Sequence, residues 1–181
     1  DRRQSLVEQY RDGANLSARA RLHQRFSTNP QGWLPWVFEQ LRIPPGARVL
    51  ELGCGTGLLW ERNAEHVSAA WRLVLADLSG GMLAEARENL RALPAQPRFV
   101  QIDAQRLPVA DASIDVVIAN HMLYHVPDRQ SAFHEIRRAL RSAGALYAAT
   151  NGRPQGPSLR DWVLRVHPEA GLGEGPADGN D

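Results

Sequence analysis

An early run of the chain combines a carboxylate with three closely spaced glycines. Glu51 is followed by Gly53, Gly55 and Gly57 at alternate positions. Glycines let a chain turn sharply and approach a ligand closely, because they carry no Cβ. The backbone amides at the start of a helix add a polar cradle beside such a turn. The run therefore predicts a ligand-binding turn between a strand and a helix.

Two common nucleotide-binding motifs do not fit this turn. A P-loop requires a lysine near its end, and all 21 basic residues of this chain are arginines. A dinucleotide-binding Gly-x-Gly-x-x-Gly motif needs its third glycine where this chain has Leu58 or Trp60. A carboxylate just before the turn repels a pyrophosphate and suits a ligand with cationic groups, such as an ammonium and a sulfonium. A nicotinamide-dependent oxidoreductase is therefore disfavoured.

Two more acids stand at the ends of predicted strands. Asp77 closes the second strand, where a carboxylate can accept hydrogen bonds from both hydroxyls of a ribose. Asp103 closes the third strand, where a carboxylate can accept a hydrogen bond from the exocyclic amine of an adenine. Ligands of doubly wound sheets lie across the carboxyl ends of the strands. Glu51, Asp77 and Asp103 are therefore predicted to line one site.

Two histidines follow the fourth predicted strand. His121 follows Asn120 directly and His125 comes four residues later, where the reacting group of a ligand at this edge would lie. Histidine is the side chain best tuned to act as a base near neutral pH. The alternative is that this His-x-x-x-His run only positions the loop. Its spacing suggests no third ligand, so no metal site is predicted. Cys54 is interpreted as a small residue that fits the turn, rather than a reactive thiol.

Strands and helices alternate along the part of the chain that carries these residues. Apolar runs predict five strands, at Arg48–Leu52, Arg72–Ala76, Arg98–Ile102, Ile114–Ala119 and Ala145–Thr150. Three helices are predicted between them: one from the glycine turn to about Val67, one capped by Ser79, and one capped by Asp128 that carries Phe133, Ile136 and Leu140. This order predicts an α/β fold with a doubly wound, mostly parallel sheet.

The regions on either side differ in composition. Residues 1–45 predict an N-terminal helical cap, residues 46–152 the α/β core, and residues 153–181 a short helix with a disordered tail. In the cap, Asn29-Pro30 predicts a helix start. Trp33, Val37 and Leu41 then share one face of that helix. Trp33, Trp36 and Trp60 are predicted to pack structurally rather than to line a substrate pocket.

Taken in order, these motifs resemble the class I S-adenosylmethionine-dependent methyltransferases, of the small-molecule kind called methyltransferase type 11. The similarity runs from about Arg48 to Asn151, in the stretches VLELGCGTG, VLADLSGGMLAEAREN and FVQIDAQRLPVADASIDVVIANHMLYHV. The resemblance implies a Rossmann-like methyltransferase fold. It also implies S-adenosylmethionine as cofactor and S-adenosylhomocysteine as product.

The same resemblance implies a role for individual residues. The turn with Gly53, Cys54, Gly55 and Gly57 would hold the methionine part of the cofactor, and Asp77 the ribose. Leu78 and Met82 would pack near the adenine, Asp103 and Ala104 would read its edge, and Asn120 would lie beside the cofactor. An N-terminal helix closes over the cofactor in similar enzymes, so Tyr10 and Arg19 could bind its carboxylate. The alternative for these two is an amphipathic helix with solvated arginines.

The expected partner is a small-molecule methyl acceptor. The formal net charge of +1 gives no reason to expect nucleic acid or an anionic membrane. The residues after the fourth strand, Asn120-His121-Met122-Leu123, lack the Asn/Asp-Pro-Pro-aromatic run of methyltransferases that act on DNA amines. A single cysteine and a polar N-terminal region without an apolar signal core predict a cytoplasmic location.

The sequence departs from the family after the fifth strand. The complete fold adds two more strands there, but only about thirty residues follow Thr150 and none reads as a strand. A fragment or a truncated product is expected. An uncovered fifth strand would be an exposed sheet edge, open to self-association. The alternative function is therefore a truncated, inactive domain that binds only the cofactor or a partner.

Overall fold

A single parallel sheet of five strands forms the centre of the molecule. The computed structural model describes Arg25 and residues 28–150. In it the strands follow the spatial order β3-β2-β1-β4-β5, and every neighbouring pair is parallel. The strands are β1 (Arg48–Leu52), β2 (Arg72–Asp77), β3 (Arg98–Gln101), β4 (Ile114–Asn120) and β5 (Leu140–Ala149). The predicted α/β fold with a parallel sheet is confirmed.

Helices cover both faces of this sheet. They are α1 (Trp33–Gln40), α2 (Leu58–Glu61), α3 (Gly80–Asn89) and α4 (Arg129–Ala139), with single 3-10 turns at Ala64–His66 and Leu123–His125. Two helices begin as the sequence predicts, because the Ser79 hydroxyl accepts from the Met82 N–H and the Asp128 carboxylate accepts from the Ser131 N–H.

The core divides into two apolar clusters, one on each face of the sheet. Successive side chains of a strand point to opposite faces. Accordingly Val116 and Ile118 of β4 pack with α1, α2 and α3, whereas Val117 packs with α4. All three are at most 1% exposed. This burial on both faces accounts for the almost purely apolar sequence of β4.

The fifth strand begins at Leu140, five residues before the predicted start at Ala145. Leu140 pairs with Ile114, and the register then slips so that Ala145 pairs with Val116. Residues 141–144 of β5 therefore lie opposite a single residue of β4, Asp115, and form a bulge. Gly144 allows this close approach, because a Cβ there would lie 3.0 Å from the Asp115 carbonyl oxygen. Nothing in the composition of the segment signals such a bulge.

The helix after the glycine turn is much shorter than predicted. It ends at Glu61 rather than near Val67, and a 3-10 turn follows it. Asn63 explains the break. Its side-chain Nδ2 donates to the Leu59 carbonyl at 2.7 Å, the acceptor that its own backbone N–H would use in an α-helix. The Asn63 N–H donates to Trp60 instead.

Three predictions about aromatic and capping residues are wrong. Helix α1 begins at Trp33 with Gly32 as its N-cap, whereas Asn29 accepts from the Gln31 N–H in the preceding turn. Phe133 is 46% exposed, because the buried stripe of α4 is Ala132, Ile136 and Ala139. Trp60 is fully buried as expected, but Trp33 and Trp36 are 42% and 41% exposed.

Within residues 28–150, the outer side of β5 pairs with no strand. No helix of the described part is long and apolar enough to cross a membrane. The predicted N-terminal helix with Tyr10 and Arg19, and the predicted C-terminal helix and tail, lie outside the described residues.

Candidate active site at the carboxyl edge of the sheet

The strand registers place three predicted site residues at one level. Leu52 pairs with Ala76 and Glu51 pairs with Ile118. The next levels therefore bring Gly53 beside both Asp77 and Asn120, at the carboxyl edge of the three central strands. Ligands of parallel α/β sheets bind at this edge.

The glycine turn is held in a left-handed backbone conformation. Gly53, Gly55 and Gly57 have φ angles of 69°, 55° and 80°. Packing also excludes side chains at two of these positions. A Cβ on Gly53 would lie 2.6 Å from the Met122 Cβ, and one on Gly57 would lie 2.7 Å from the Leu90 Cδ1. These two glycines therefore serve the packing of the turn, in addition to any ligand.

Asp77 fastens the turn to the end of β2. Its Oδ2 accepts from the Gly55 N–H at 2.9 Å and its Oδ1 accepts from the Ser79 N–H at 2.8 Å. Burial raises the pKa of this carboxyl, and the donated backbone hydrogen bonds oppose that rise. A carboxylate has about four acceptor positions, so Asp77 retains capacity for hydroxyl donors.

Glu51 has a different environment from the one that its sequence position suggested. It is only 4% exposed, and its Oε2 accepts from the Trp60 indole Nε1 at 2.5 Å. Burial raises its pKa to about 7, a rise that the Trp60 hydrogen bond opposes and the nearby Asp77 reinforces. Trp60 was predicted only to pack. No local pattern signalled this pair, because the hydrogen bond joins β1 to α2.

The third acid, Asp103, lies just past β3. Its Oδ1 accepts from both the backbone N–H and the side-chain Nε2 of Gln105, at 3.0 and 2.9 Å. The Gln105 Oε1 in turn accepts from the Asp128 N–H. This chain of hydrogen bonds fixes the loop that carries Asp103 against the start of α4.

The predicted adenine contacts differ in exposure. Leu78 is half-buried and its carbonyl accepts from Gln101 Nε2 at 2.8 Å. Ala104 is 7% exposed and Met82 only 1%.

Cys54 is also buried, and burial raises the pKa of its thiol. A protonated, buried thiol is a poor nucleophile, in agreement with its interpretation as a small residue of the turn.

The two histidines occupy separate local environments. His121 directly follows Asn120 with a φ of +52°, and its N–H donates to the Ala149 carbonyl at 2.8 Å. Its ring lies 5.1 Å from the Trp33 ring, centroid to centroid. His125 ends a 3-10 turn and its ring packs on Tyr124 at 4.3 Å. Among the described residues, no group of three histidine, cysteine or acidic side chains could hold a metal ion.

The residues at this edge fit a cofactor with a ribose, an adenine and a cationic amino acid part. The glycines let a ligand approach the backbone of the turn closely, and Asp77 and Asp103 supply acceptors after successive strands. Three carboxylates and no lysine make the edge unsuited to a polyphosphate.

Comparison with known proteins supports the same kind of site. The family described as "Methyltransferase domain" matches residues 50–148, more than half of the chain. A ubiquinone/menaquinone biosynthesis C-methyltransferase of Ectopseudomonas mendocina is 33% identical over 129 residues, which are 70% of this chain and 50% of that protein. The corresponding protein of Xanthomonas campestris pv. campestris is 34% identical over 63% of this chain and 46% of its own length. The chain thus spans about half the length of these curated relatives.

Solved structures agree on the fold. An S-adenosylmethionine-dependent methyltransferase of Mesorhizobium loti is 28% identical with a TM-score of 0.55, over 66% of this chain and 55% of that chain. The [4+2]-cyclase SpnF is 29% identical with a TM-score of 0.58, over 64% of this chain and 42% of that chain. The fold is therefore shared by proteins whose names describe different reactions.

Proposed function

Because this chain belongs to the class I S-adenosylmethionine-dependent methyltransferases, we propose that it transfers a methyl group from that cofactor to a ring carbon of a hydroquinone, a small-molecule quinone precursor. The observation that carries the cofactor part is the hydrogen bond from the Gly55 N–H to the Asp77 Oδ2 at 2.9 Å, which joins the glycine turn to the end of β2 at the carboxyl edge. The acceptor part is supported by the names of the relatives that are 33% and 34% identical.

The bound cofactor supplies an electrophilic methyl group on a sulfonium, whose departure leaves a neutral thioether. The chain would bind and orient it. Asp77 would accept hydrogen bonds from the ribose hydroxyls, and Asp103 with Ala104 would border the adenine. The turn from Gly53 to Gly57 would hold the amino acid part. In-line positioning of acceptor, methyl carbon and sulfur contributes much of the rate in such transfers.

Transfer to a ring carbon also requires the movement of protons. The methyl carbon would join the ring carbon as the carbon–sulfur bond breaks with its electron pair on sulfur. The ring carbon would then lose its proton to solvent, and the base would return the hydroxyl proton to the ring oxygen. Loss of a hydroxyl proton beforehand makes the ring carbon more nucleophilic. We assign that proton to an imidazole nitrogen of His121, which follows Asn120 directly. His125, packed on Tyr124, remains a loop residue.

The proposal is tested by transfer of a labelled methyl group from S-adenosylmethionine to 1,4-dihydroxynaphthalene in anaerobic buffer, with the product identified by mass spectrometry. A ring-methylated product supports C-methylation, whereas a methyl ether would assign the enzyme to O-methylation. Binding of S-adenosylhomocysteine without any transfer would support the inactive binding domain instead. The variant His121→Gln should lose activity with little change in cofactor affinity, and His125→Gln should retain most activity.

A further inference from the structure

Two tryptophans on α1 are exposed side by side. Trp33 and Trp36 are 42% and 41% exposed, and their ring centroids lie 5.5 Å apart. Other side chains anchor the same helix: Val37, on the face of Trp33, is buried. Phe38, on the opposite side, meets Trp60 edge-on at 6.1 Å. The helix therefore needs neither exposed ring to hold its place on the sheet. Paired exposed aromatic rings of this kind mark binding surfaces.

The position of this pair links it to the carboxyl edge. The Trp33 ring contacts the His121 ring at 5.1 Å, with an interplanar angle of 59°. His121 is held at the end of β4 by the hydrogen bond from its N–H to Ala149. The tryptophan surface, formed by Trp33 and Trp36, therefore extends to His121 at the carboxyl edge.

The shape and charge of the surface indicate the kind of molecule that it fits. A shallow cavity of about 210 Å³ opens between the tryptophans, Asn29 and Gly32. It is smaller than a pocket that encloses a whole drug-sized ligand, and it suits a single planar ring system. Among the described residues, those that line it carry no charge. By contrast, the exposed Phe133 on α4 shares its shallow surface with Arg137 and His134.

We propose that Trp33 and Trp36 bind the methyl acceptor, by stacking its aromatic ring beside His121. This inference rests on the proposed function, since it concerns the acceptor of that reaction. Tryptophan rings favour planar aromatic ligands through offset stacking and apolar contact. An acceptor held on Trp33 lies next to His121, the group assigned to its hydroxyl proton. In this interpretation, the two rings are exposed when no acceptor is bound.

The experiment compares alanine and phenylalanine variants of Trp33 and Trp36 in the full chain, with Phe133→Ala as the control for loss of an exposed ring. KM and kcat are measured with 1,4-dihydroxynaphthalene, and Kd with S-adenosylhomocysteine. Trp33→Ala and Trp36→Ala should each raise the acceptor KM by about tenfold and leave the cofactor Kd within about twofold. The phenylalanine variants should recover part of the loss. An acceptor KM in both alanine variants equal to that of Phe133→Ala would overturn the inference.

Equilibrium dialysis of 1,4-dihydroxynaphthalene separates this inference from the proposed function. If the wild-type chain binds this probe but transfers no methyl group to it, the proposed function fails. A roughly tenfold weaker binding by Trp33→Ala would then still support the aromatic site. Equal binding by Trp33→Ala, Trp36→Ala and wild type would show that the two tryptophans do not bind the acceptor, whether or not the chain transfers methyl groups. A lower melting temperature together with an unchanged KM would assign the tryptophans to folding alone and also overturn the proposal.

Discussion

The backbone N–H of Gly55 donates to the Oδ2 of Asp77 at 2.9 Å, so that one carboxylate joins the glycine turn of β1 to the end of β2. A second oxygen of the same group accepts from Ser79 at the start of α3. Asp77 therefore has a structural task in addition to its proposed hydrogen bonds to the ribose. Both tasks require an acceptor at this position.

Replacement of Asp77 tests that double role. Asp77→Ala should weaken binding of S-adenosylhomocysteine by about 1.5–3 kcal/mol, or roughly 10–150-fold in Kd, the scale of hydrogen bonds to a charged group. Asp77→Asn should weaken it less, because the amide oxygen still accepts. The measurement is calorimetric titration of folded variants, with the exposed Asp111→Asn as control. Unchanged affinity in a folded Asp77→Ala chain would remove Asp77 from the site.

The buried Glu51 should make stability depend on pH. Its folded-state pKa is about 7 against an ordinary value of 4.5, so its contribution to the free energy of unfolding is fully present below pH 4.5 and is lost as the pH rises to 7. The loss linked to this group is on the order of 3 kcal/mol. The raised pKa of Asp77 acts in the same direction. Glu135, whose pKa the Arg138 hydrogen bond lowers to about 2, loses its contribution only below pH 4.5.

Urea unfolding of wild type and Glu51→Gln at pH 5 and pH 8 measures this dependence. The glutamine oxygen can still accept from the Trp60 indole, and it does not titrate. The difference in unfolding free energy between the two pH values should therefore shrink in Glu51→Gln. An equal difference in both proteins would show that Glu51 is already ionised in the folded chain at pH 5.

Cofactor binding should release protons if Glu51 faces the cationic part of the ligand. A nearby ammonium favours the carboxylate and so lowers the pKa of Glu51 and of Asp77. Affinity for S-adenosylhomocysteine should then rise between pH 5 and pH 8, and Glu51→Gln should flatten that rise. Titrations in buffers of different ionisation enthalpy count the protons released. A pH-independent affinity would restrict Glu51 to its structural contact with Trp60.

Alanine variants of Gly53 and Gly46 form a matched pair that measures how much a side chain in the glycine turn lowers the free energy of unfolding. Both have positive φ angles, 69° and 71°, but a Cβ on Gly46 meets no atom within 4 Å, whereas one on Gly53 would overlap Met122. Gly46→Ala should cost only the backbone strain, about 1–2 kcal/mol. Gly53→Ala should cost about 2–4 kcal/mol, since overlap adds to strain. Equal losses in thermal unfolding would show that Met122 moves aside freely.

Much of the fold followed from local patterns in the sequence. Continuous apolar runs marked the strands, because a strand covered on both faces carries no polar stripe. Ser79 and Asp128 marked two helix starts, since their side chains cap the exposed N–H groups. Because all five strands run parallel, the strand ends that precede Asp77 and Asp103 share one carboxyl edge.

The features that the sequence did not reveal depend on competing hydrogen-bond donors or on contacts between residues far apart in the chain. The break after α2 arises because the Asn63 side chain takes a carbonyl from the helix, and the same residue type is tolerated in many helices. The Glu51–Trp60 hydrogen bond and the Trp33–His121 ring contact join separate elements. Only the assembled sheet defines them. Trp36 did carry a signal, because it lies off the face shared by Trp33, Val37 and Leu41.

Calorimetric titration of the full chain with S-adenosylhomocysteine, with NADH as the control ligand, tests the central claim most directly. We expect saturable binding of S-adenosylhomocysteine and no binding of NADH, because the glycine turn is preceded by a carboxylate and does not match the dinucleotide-binding motif. Circular dichroism on the same sample shows that the chain is folded. Binding of NADH, or no binding of S-adenosylhomocysteine by the folded chain, would contradict the assignment of the site.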